Sequence, residues 1–243
     1  MRIPNYDVVI PLYNRAHVVA DAVASVLAQK HVPSNVVVVD DGSTDGGLDA
    51  IRHVCERDHR VVGIRRPNGG ASAARNAGFE YVRSPWVAFL DSDDAWLPDA
   101  AERLLSASYD ADVVVGSFLR VDELGRRGRA DRGWDGAPEC GWDGSPILDA
   151  LETGGVVGPS WSIMRADLVR RVRGFDPSFR NCNDWDFFAR MALAGSRFAR
   201  IPGTVALYRT VSGGRLVDDT ASLDAGALRV RATLAQGRAR AAA

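Results

Sequence analysis

Four residues, Asp91-Ser92-Asp93-Asp94, directly follow the apolar run Trp86-Val87-Ala88-Phe89-Leu90. A buried strand that ends in carboxylates brings like charges together at a sheet edge. Such a cluster is costly unless a cation or a hydrogen-bonding ligand sits there. Oxygen-only ligand sets suit hard cations such as Mg2+ or Mn2+, which commonly bridge to phosphates. An acidic turn that caps the next helix uses the same residue types. The segment therefore gains meaning only from the segments that join it.

Two others have the same character. Asp40-Asp41-Gly42-Ser43-Thr44-Asp45 follows the β-branched run 36–39. Gly42 permits a tight turn, and Ser43, Thr44 or Asp45 can cap a helix. At the end of its strand, Asp40 is placed to accept a hydrogen bond from a base N–H; an acidic capping box is the competing reading. Asn68-Gly69-Gly70-Ala71-Ser72-Ala73-Ala74-Arg75-Asn76 is a glycine turn that opens a helix. Small residues let a ligand approach the backbone, and a helix start favours an anion. Arg75 adds a planar cationic fork suited to a phosphate or a base carbonyl. The sequence contains neither GxGxxG nor GxxxxGK[ST], which argues against a dinucleotide fold and a P-loop.

The elements that must position these residues alternate along the first half. Strand patterns at 8–10, 36–39, 61–64, 86–90 and 113–115 are separated by helix patterns at 18–27, 48–54, 71–82 and from Pro98 to Leu105. The run 36–39 has to be buried on both faces. This spacing predicts a mostly parallel sheet with right-handed crossovers, and ligands in such sheets bind beyond the carboxyl ends of the strands. Tyr13 and Asn14, Asp40 and Asp41, Asn68, and Asp91 and Asp93 all fall at such ends. Residues 120–145 are rich in Gly, Arg and Asp, and read as a loop-rich insertion. Beyond them come a short helix near 147–151, a strand near 161–164, helices at 166–172 and 184–194, and strands near 198–201 and 205–208. The Ala/Arg-rich tail from 225 is expected to fray.

Composition sets outer bounds. A chain of 243 residues, 46% hydrophobic and 25% charged, can bury a sizeable core. A net charge of -1 gives no case for nucleic acid as a partner. The cysteines, Cys55, Cys140 and Cys182, are odd in number and far apart, so neither a zinc knuckle nor a disulfide framework is expected. A reducing cytoplasm is the simplest compartment. No apolar stretch approaches the roughly 20 residues of a membrane span, so membrane association would be peripheral, at the inner membrane face, or through a partner. His17, His31, His53 and His59 show no paired metal spacing.

Four segments together resemble the family 2 glycosyltransferases. They are Val9-Ile10-Pro11-Leu12-Tyr13-Asn14, Asp40-Asp41-Gly42-Ser43-Thr44-Asp45, Asn68-Gly69-Gly70 with Ala74-Arg75-Asn76-Ala77-Gly78, and Phe89-Leu90-Asp91-Ser92-Asp93-Asp94. The resemblance is strong over about residues 6–105 and looser over 158–210. It implies a GT-A fold: an α/β, Rossmann-like, mostly parallel central sheet flanked by helices, with a smaller acceptor-side half. Residues 1–243 would form one domain. About 1–117 would be the nucleotide-sugar half, about 118–215 the acceptor half, and 216–243 a C-terminal tail.

The resemblance also implies transfer of a sugar from a nucleotide diphosphate, with UDP the leading nucleotide, and inversion at the anomeric carbon. Asp40 takes the place of the uracil-binding acid, and the backbone of Pro11, Leu12 and Tyr13 that of part of the base pocket. Asn68 would join the donor site, and Arg75 would lie near the base or phosphates. Asp91 and Asp93 resemble the DxD pair, with Asp91 near the ribose and Asp93 on a Mn2+ or Mg2+ ion. Later in the chain, Asn183-Asp184-Trp185-Asp186-Phe187 resembles a Glu-Asp helix start whose second acid is the catalytic base. Asp184 takes that place, with Asn183 where Glu is usual. A sugar hydroxyl must lose a proton as it attacks, so the chemistry needs such a group. Trp185, like Trp134, Trp142 and Trp161, could stack on a sugar face or pack in the core.

The segment Tyr208-Arg209-Thr210-Val211-Ser212 lacks the histidine that helps hold the metal in many relatives. The Gln-x-x-Arg-Trp signature of processive relatives is absent, which favours addition of a single sugar to a glycan, lipid-linked or small-molecule acceptor. Two other functions fit parts of the pattern. A nucleotidyltransferase would usually carry a basic glycine-rich loop near its N-terminus, and residues 10–15 are not one. A non-catalytic sugar-nucleotide binder would show affinity without release of nucleotide diphosphate.

Overall fold

Four consecutive valines, Val36 to Val39, cannot all face one side of a strand, because side chains alternate with a period of two. In the computed structural model, which describes residues 3–122, 146–153, 157–210 and 220–242, all four are buried. Val36 and Val38 pack into one core with Val8, Ile10 and Leu12. Val37 and Val39 pack into a second core with Val9 and Phe89. A sheet with a core on each face follows.

The described strands form one sheet in the order β3-β2-β1-β4-β7-β6-β8-β5. β1 (Tyr6–Leu12), β2 (Asn35–Asp40), β3 (Val61–Arg65) and β4 (Trp86–Phe89) are mutually parallel. β5 (Ala95–Trp96) runs antiparallel to β8 (Phe198–Arg209). β6 (Val113–Val121) is parallel to β8, and β7 (Ser162–Arg165) is antiparallel to both β4 and β6. The first core is covered by α1 (Val19–Leu27) and α4 (Ala100–Ser106), with α2 (Arg52–Arg57) beside them. The second is covered by α3 (Ala71–Phe79), α5 (Ile147–Thr153), α6 (Ala166–Arg171) and α7 (Asn183–Leu193). The mostly parallel α/β sheet expected from the alternation is present, and its strands come from both halves of the chain.

Three expectations change. The two strands near 198–201 and 205–208 are a single strand, β8, with a register shift opposite Val115 to Phe118 and a left-handed Gly203 at φ 82°. The helix expected over 71–82 stops at Phe79. The tail does not fray from 225: it forms α8 (Thr220–Ala242), which buries Val230 and Leu234. Its apolar stripe is thin because small residues do much of the packing. A Cβ on Gly226 would lie 2.9 Å from the Asn181 carbonyl oxygen, and one on Gly237 would lie 2.3 Å from Leu193. The insertion read over 120–145, with Trp134, Trp142 and Cys140, falls outside the described residues apart from its first positions, which finish β6.

One contact fixes the helix that matters most for the site. A Cβ on Gly78 would lie 2.4 Å from Val9 Cγ1 and 2.9 Å from Val39 Cγ2. The bare backbone thus lets α3 settle onto β1 and β2 and sets the height of Arg75 one turn earlier. Gly78→Ala is expected to destabilise the protein by about 1–3 kcal/mol through overpacking. Denaturant titration checks this; an unchanged midpoint would show that the helix can lift without cost.

Candidate active site

The strand order reverses between β1 and β4, and the crevice outside their carboxyl ends is where such sheets bind ligands. A cavity of about 1310 Å³ opens there. That exceeds the roughly 300–1,000 Å³ of a single small-molecule pocket and leaves room for a second substrate. Its floor is Pro11 to Arg15 at and beyond the end of β1, Asp41, Asn68 to Gly70 just before α3, Arg75, and Asp91 to Asp93 after β4. The opposite wall is the segment 177–185, Tyr208 and Arg209 at the end of β8, and Leu223, Asp224, Ala227 and Arg231 from α8.

Parity explains most of the floor. Val9, Val37, Val39, Val87 and Phe89 face the α3 side of the sheet. Continuing each strand by steps of two reaches Pro11 and Tyr13, Asp41, and Asp91. All of them line the cavity, and Tyr13 is 50% exposed.

Asp40 has the other parity, and its expected role needs correction. It is 2% exposed and does not line the cavity. Its Oδ1 accepts the Ser43 N–H at 2.7 Å, and Arg65 lies 3.5 Å from its Oδ2, so this carboxylate holds the turn. Asp41 is the acid that faces the cavity. It accepts N–H bonds from Gly69 (3.1 Å) and Gly70 (2.7 Å) and pairs with Arg66 at 2.8 Å. Asn68 Nδ2 donates to the Asp41 carbonyl at 2.9 Å. The Gly69 N–H is shared between both Asp41 oxygens, at 3.1 Å to each, so three donors make four contacts with this carboxylate. The strand alternation could have singled out Asp41 from sequence.

Arg75 is 5% exposed and joins the two walls. Its Nη2 donates to Asp91 at 2.5 Å and its Nη1 to Asn183 Oδ1 at 3.0 Å. Its guanidinium lies 5.0 Å from the ring centroid of Phe175. Phe175 stacks on Phe187 of α7 at 3.9 Å, and Asn76 of α3 holds the Phe175 backbone through both N–H and C=O. These contacts tie α7 to α3. Asn183 is the neutral acceptor in this bridge.

Asp184 is the next residue of α7 and lines the same cavity. Its carboxyl sits above the usual carboxylate range. Burial is the main cause; the Trp185 N–H at 2.8 Å and the charge of Arg75 pull the other way. The Asp93 carboxyl is also raised, by burial first and then by the charge of Asp91, with Arg15 at 3.4 Å opposing. Arg15 was not singled out from sequence, since a lone arginine after a strand carries no signal. Trp185 lines the cavity, but its indole N–H is committed to the Leu151 carbonyl at 2.7 Å. Trp161 is instead packed on Phe118, with ring centroids 4.2 Å apart.

Among the described residues, no group of three His, Cys, Asp or Glu side chains forms a ready-made metal cage. Asp93, whose ionisation burial and the neighbouring charge of Asp91 make costlier, nonetheless fits a hard cation completed by diphosphate oxygens and water, the usual arrangement for Mg2+. At the end of β8, Arg209 pairs with Asp21 at 3.2 Å and its backbone N–H donates to Asp94 at 3.1 Å. Residues 211–212 of that segment lie outside the described residues.

The sheet and its acidic cleft define a Rossmann-like, GT-A architecture. The model for glycosyl transferase family 2 matches residues 7–170, and the chain belongs to that family. Relatives include the succinoglycan biosynthesis protein ExoO of Rhizobium meliloti, 36% identical over 87% of this chain and 62% of that protein. A Nostoc glycosyltransferase, alr2836, is 41% identical over 70% of this chain and 54% of that protein. GlyA of Streptococcus pneumoniae is 36% identical over 48% of this chain and 17% of that protein. The chain thus spans less than two thirds of the length of these relatives. Among solved structures, S. aureus TarS 1-349 in complex with UDP-GlcNAc superposes with a TM-score of 0.70 at 22% identity, covering 88% of this chain and 60% of that one. No described helix is long and apolar enough to cross a membrane.

Which of the paired aspartates meets a nucleotide is measurable. Asp41→Ala is expected to weaken UDP binding by about tenfold or more, the worth of a charge-assisted hydrogen bond. Asp40→Ala is expected to lower stability while leaving UDP affinity within about threefold. Calorimetry on both variants checks this; the reverse pattern would restore Asp40 as the acid that reads the base.

Proposed function

We propose that this chain is an inverting glycosyltransferase that moves a single sugar from a nucleotide diphosphate sugar, with UDP as the nucleotide, to an acceptor hydroxyl. The observation that carries the reading is the bridge Asp91–Arg75–Asn183, which holds an acidic strand end and the Asp184 helix start on one cavity. Support for UDP comes from Asp41 and the Pro11–Tyr13 backbone at the base end, and from the UDP-GlcNAc bound in S. aureus TarS.

In this mechanism the uracil lies against the strand β1 end with its N–H on Asp41. Asp91 takes the ribose side, and Asp93 would hold a Mg2+ or Mn2+ ion. When bound, that ion neutralises charge on the departing diphosphate. Arg75 keeps Asp91 oriented. Asp184 accepts the proton of the acceptor hydroxyl as its oxygen attacks the anomeric carbon from the face opposite the leaving group. A base raised above the ordinary aspartate value suits this role, because it holds a proton more readily once it has taken one. The acceptor is a glycan, a lipid-linked sugar or a small molecule, and the reaction would proceed in the cytoplasm.

Asp184→Asn is expected to keep UDP affinity and to lose transfer by about 10²–10⁴-fold, the usual worth of a general base. In the native protein Asp184 must be ionised to act. Transfer should therefore fall as pH drops through its raised pKa, giving an acid limb above the ordinary aspartate value of 3.8. Native turnover in the Asn variant would refute the assignment.

Asp93→Ala is expected to remove stimulation by Mn2+ or Mg2+ and to leave metal-free UDP binding within about threefold. A metal titration of transfer in that variant tests this. Stimulation equal to that of the native protein would place the ion elsewhere.

A further inference from the structure

The wall facing the donor residues is partly built by α8, which lies beyond the residues matched to the family model. It is fastened near its middle and near its C-terminal end. Arg229 donates to Ser178 Oγ at 2.9 Å and lies 3.7 Å from the Phe179 ring centroid, and Arg238 pairs with Asp149 and Glu152 of α5. Gly226 lets the helix close onto Asn181 and Cys182, immediately before Asp184. The charges that fasten α8 are thus used within the fold.

Arg231 differs from them. It lines the cavity, its guanidinium lies 5.7 Å from the Trp185 ring centroid, and among the described residues no carboxylate pairs with it. Trp185 follows Asp184 directly, and all three residues line the same cavity. A guanidinium over an aromatic ring keeps its hydrogen-bond donors at the edge free for a planar or tetrahedral anion. Asp224, also on the cavity, is seven residues earlier on the helix, about 10 Å away along its axis, so it does not neutralise Arg231.

We propose that Arg231 is a specificity residue for the acceptor: it binds an anionic group, a carboxylate or a phosphate, carried by the molecule whose hydroxyl Asp184 activates. The inference rests on the glycosyltransferase reading above and adds the charge class of the acceptor. Arg231 and Trp185 together form the subsite. The guanidinium takes the anion, beside a largely buried indole whose N–H is held by the Leu151 carbonyl.

The test uses 4-nitrophenyl β-D-glucoside, its 6-phosphate and 4-nitrophenyl β-D-glucuronide as binding probes, by ligand-observed NMR with and without UDP. The full chain, Arg231→Gln and Arg231→Lys are compared. The native protein should bind both anionic probes, or one of them, about tenfold more tightly than the neutral one. The more favoured anion identifies the group. Arg231→Gln should abolish the preference and Arg231→Lys should retain part of it. Equal binding of neutral and anionic probes, or a preference that survives in Arg231→Gln, overturns the inference. So does a loss of UDP affinity in Arg231→Gln, which would put the guanidinium on the donor. Failure of the native protein to bind UDP would instead count against the donor assignment, and the anion preference measured without UDP still decides the role of Arg231.

Discussion

The guanidinium of Arg75 is the connection on which the cleft depends. It is buried, yet its charge is met by one partner on β4's end and one on the start of α7. Removing either partner would leave a buried cation short of an acceptor, which costs far more than an ordinary lost hydrogen bond. The two walls of the cavity are therefore not independent. The sheet ends that carry Asp41, Asp91 and Asp93 and the helix that carries Asp184 are held at a set distance through one side chain. Gly78 makes this possible, because only a helix pressed onto Val9 and Val39 puts Arg75 at that depth.

The same bridge gives a physical reason for the neutral residue at 183. A second carboxylate there would share Arg75 with Asp91 and place another negative charge beside Asp184, whose carboxyl is already raised by burial. An amide supplies the acceptor without the charge. The cleft thus separates the strand-end acids Asp41, Asp91 and Asp93, where a divalent ion and a diphosphate would be bound, from the wall that carries Asp184, Asp224 and Arg231. This separation suits a reaction in which an anionic leaving group departs on one side and a nucleophile arrives on the other.

Much of this was legible in the residues. The alternation of β-branched runs with helical stripes specified the parallel sheet, and the polar residues after β1, β2, β3 and β4 marked the crevice. The fold followed from periodicity because both sheet faces are buried, so the pattern is enforced over the whole of Val36 to Val39. Position in the motif points to Asp40, whereas strand parity points to Asp41 for the cavity. Residues two apart share a face, and Asp41, not Asp40, continues Val37 and Val39. The C-terminal helix escaped notice for another reason. Its contacts run through glycines and the stems of arginines, which a hydrophobic stripe does not register. Arg231 and Arg15 become meaningful only when distant elements bring them to the cavity.

A crystal structure of the full chain with UDP and Mn2+ tests the central claim most directly. The account predicts the uracil within hydrogen-bond distance of Asp41, the metal on Asp93 and the diphosphate, and an open path from the phosphate side to Asp184 with the Arg75 bridge intact. A nucleotide bound outside this cleft, or a metal seated away from Asp91 and Asp93, would contradict it.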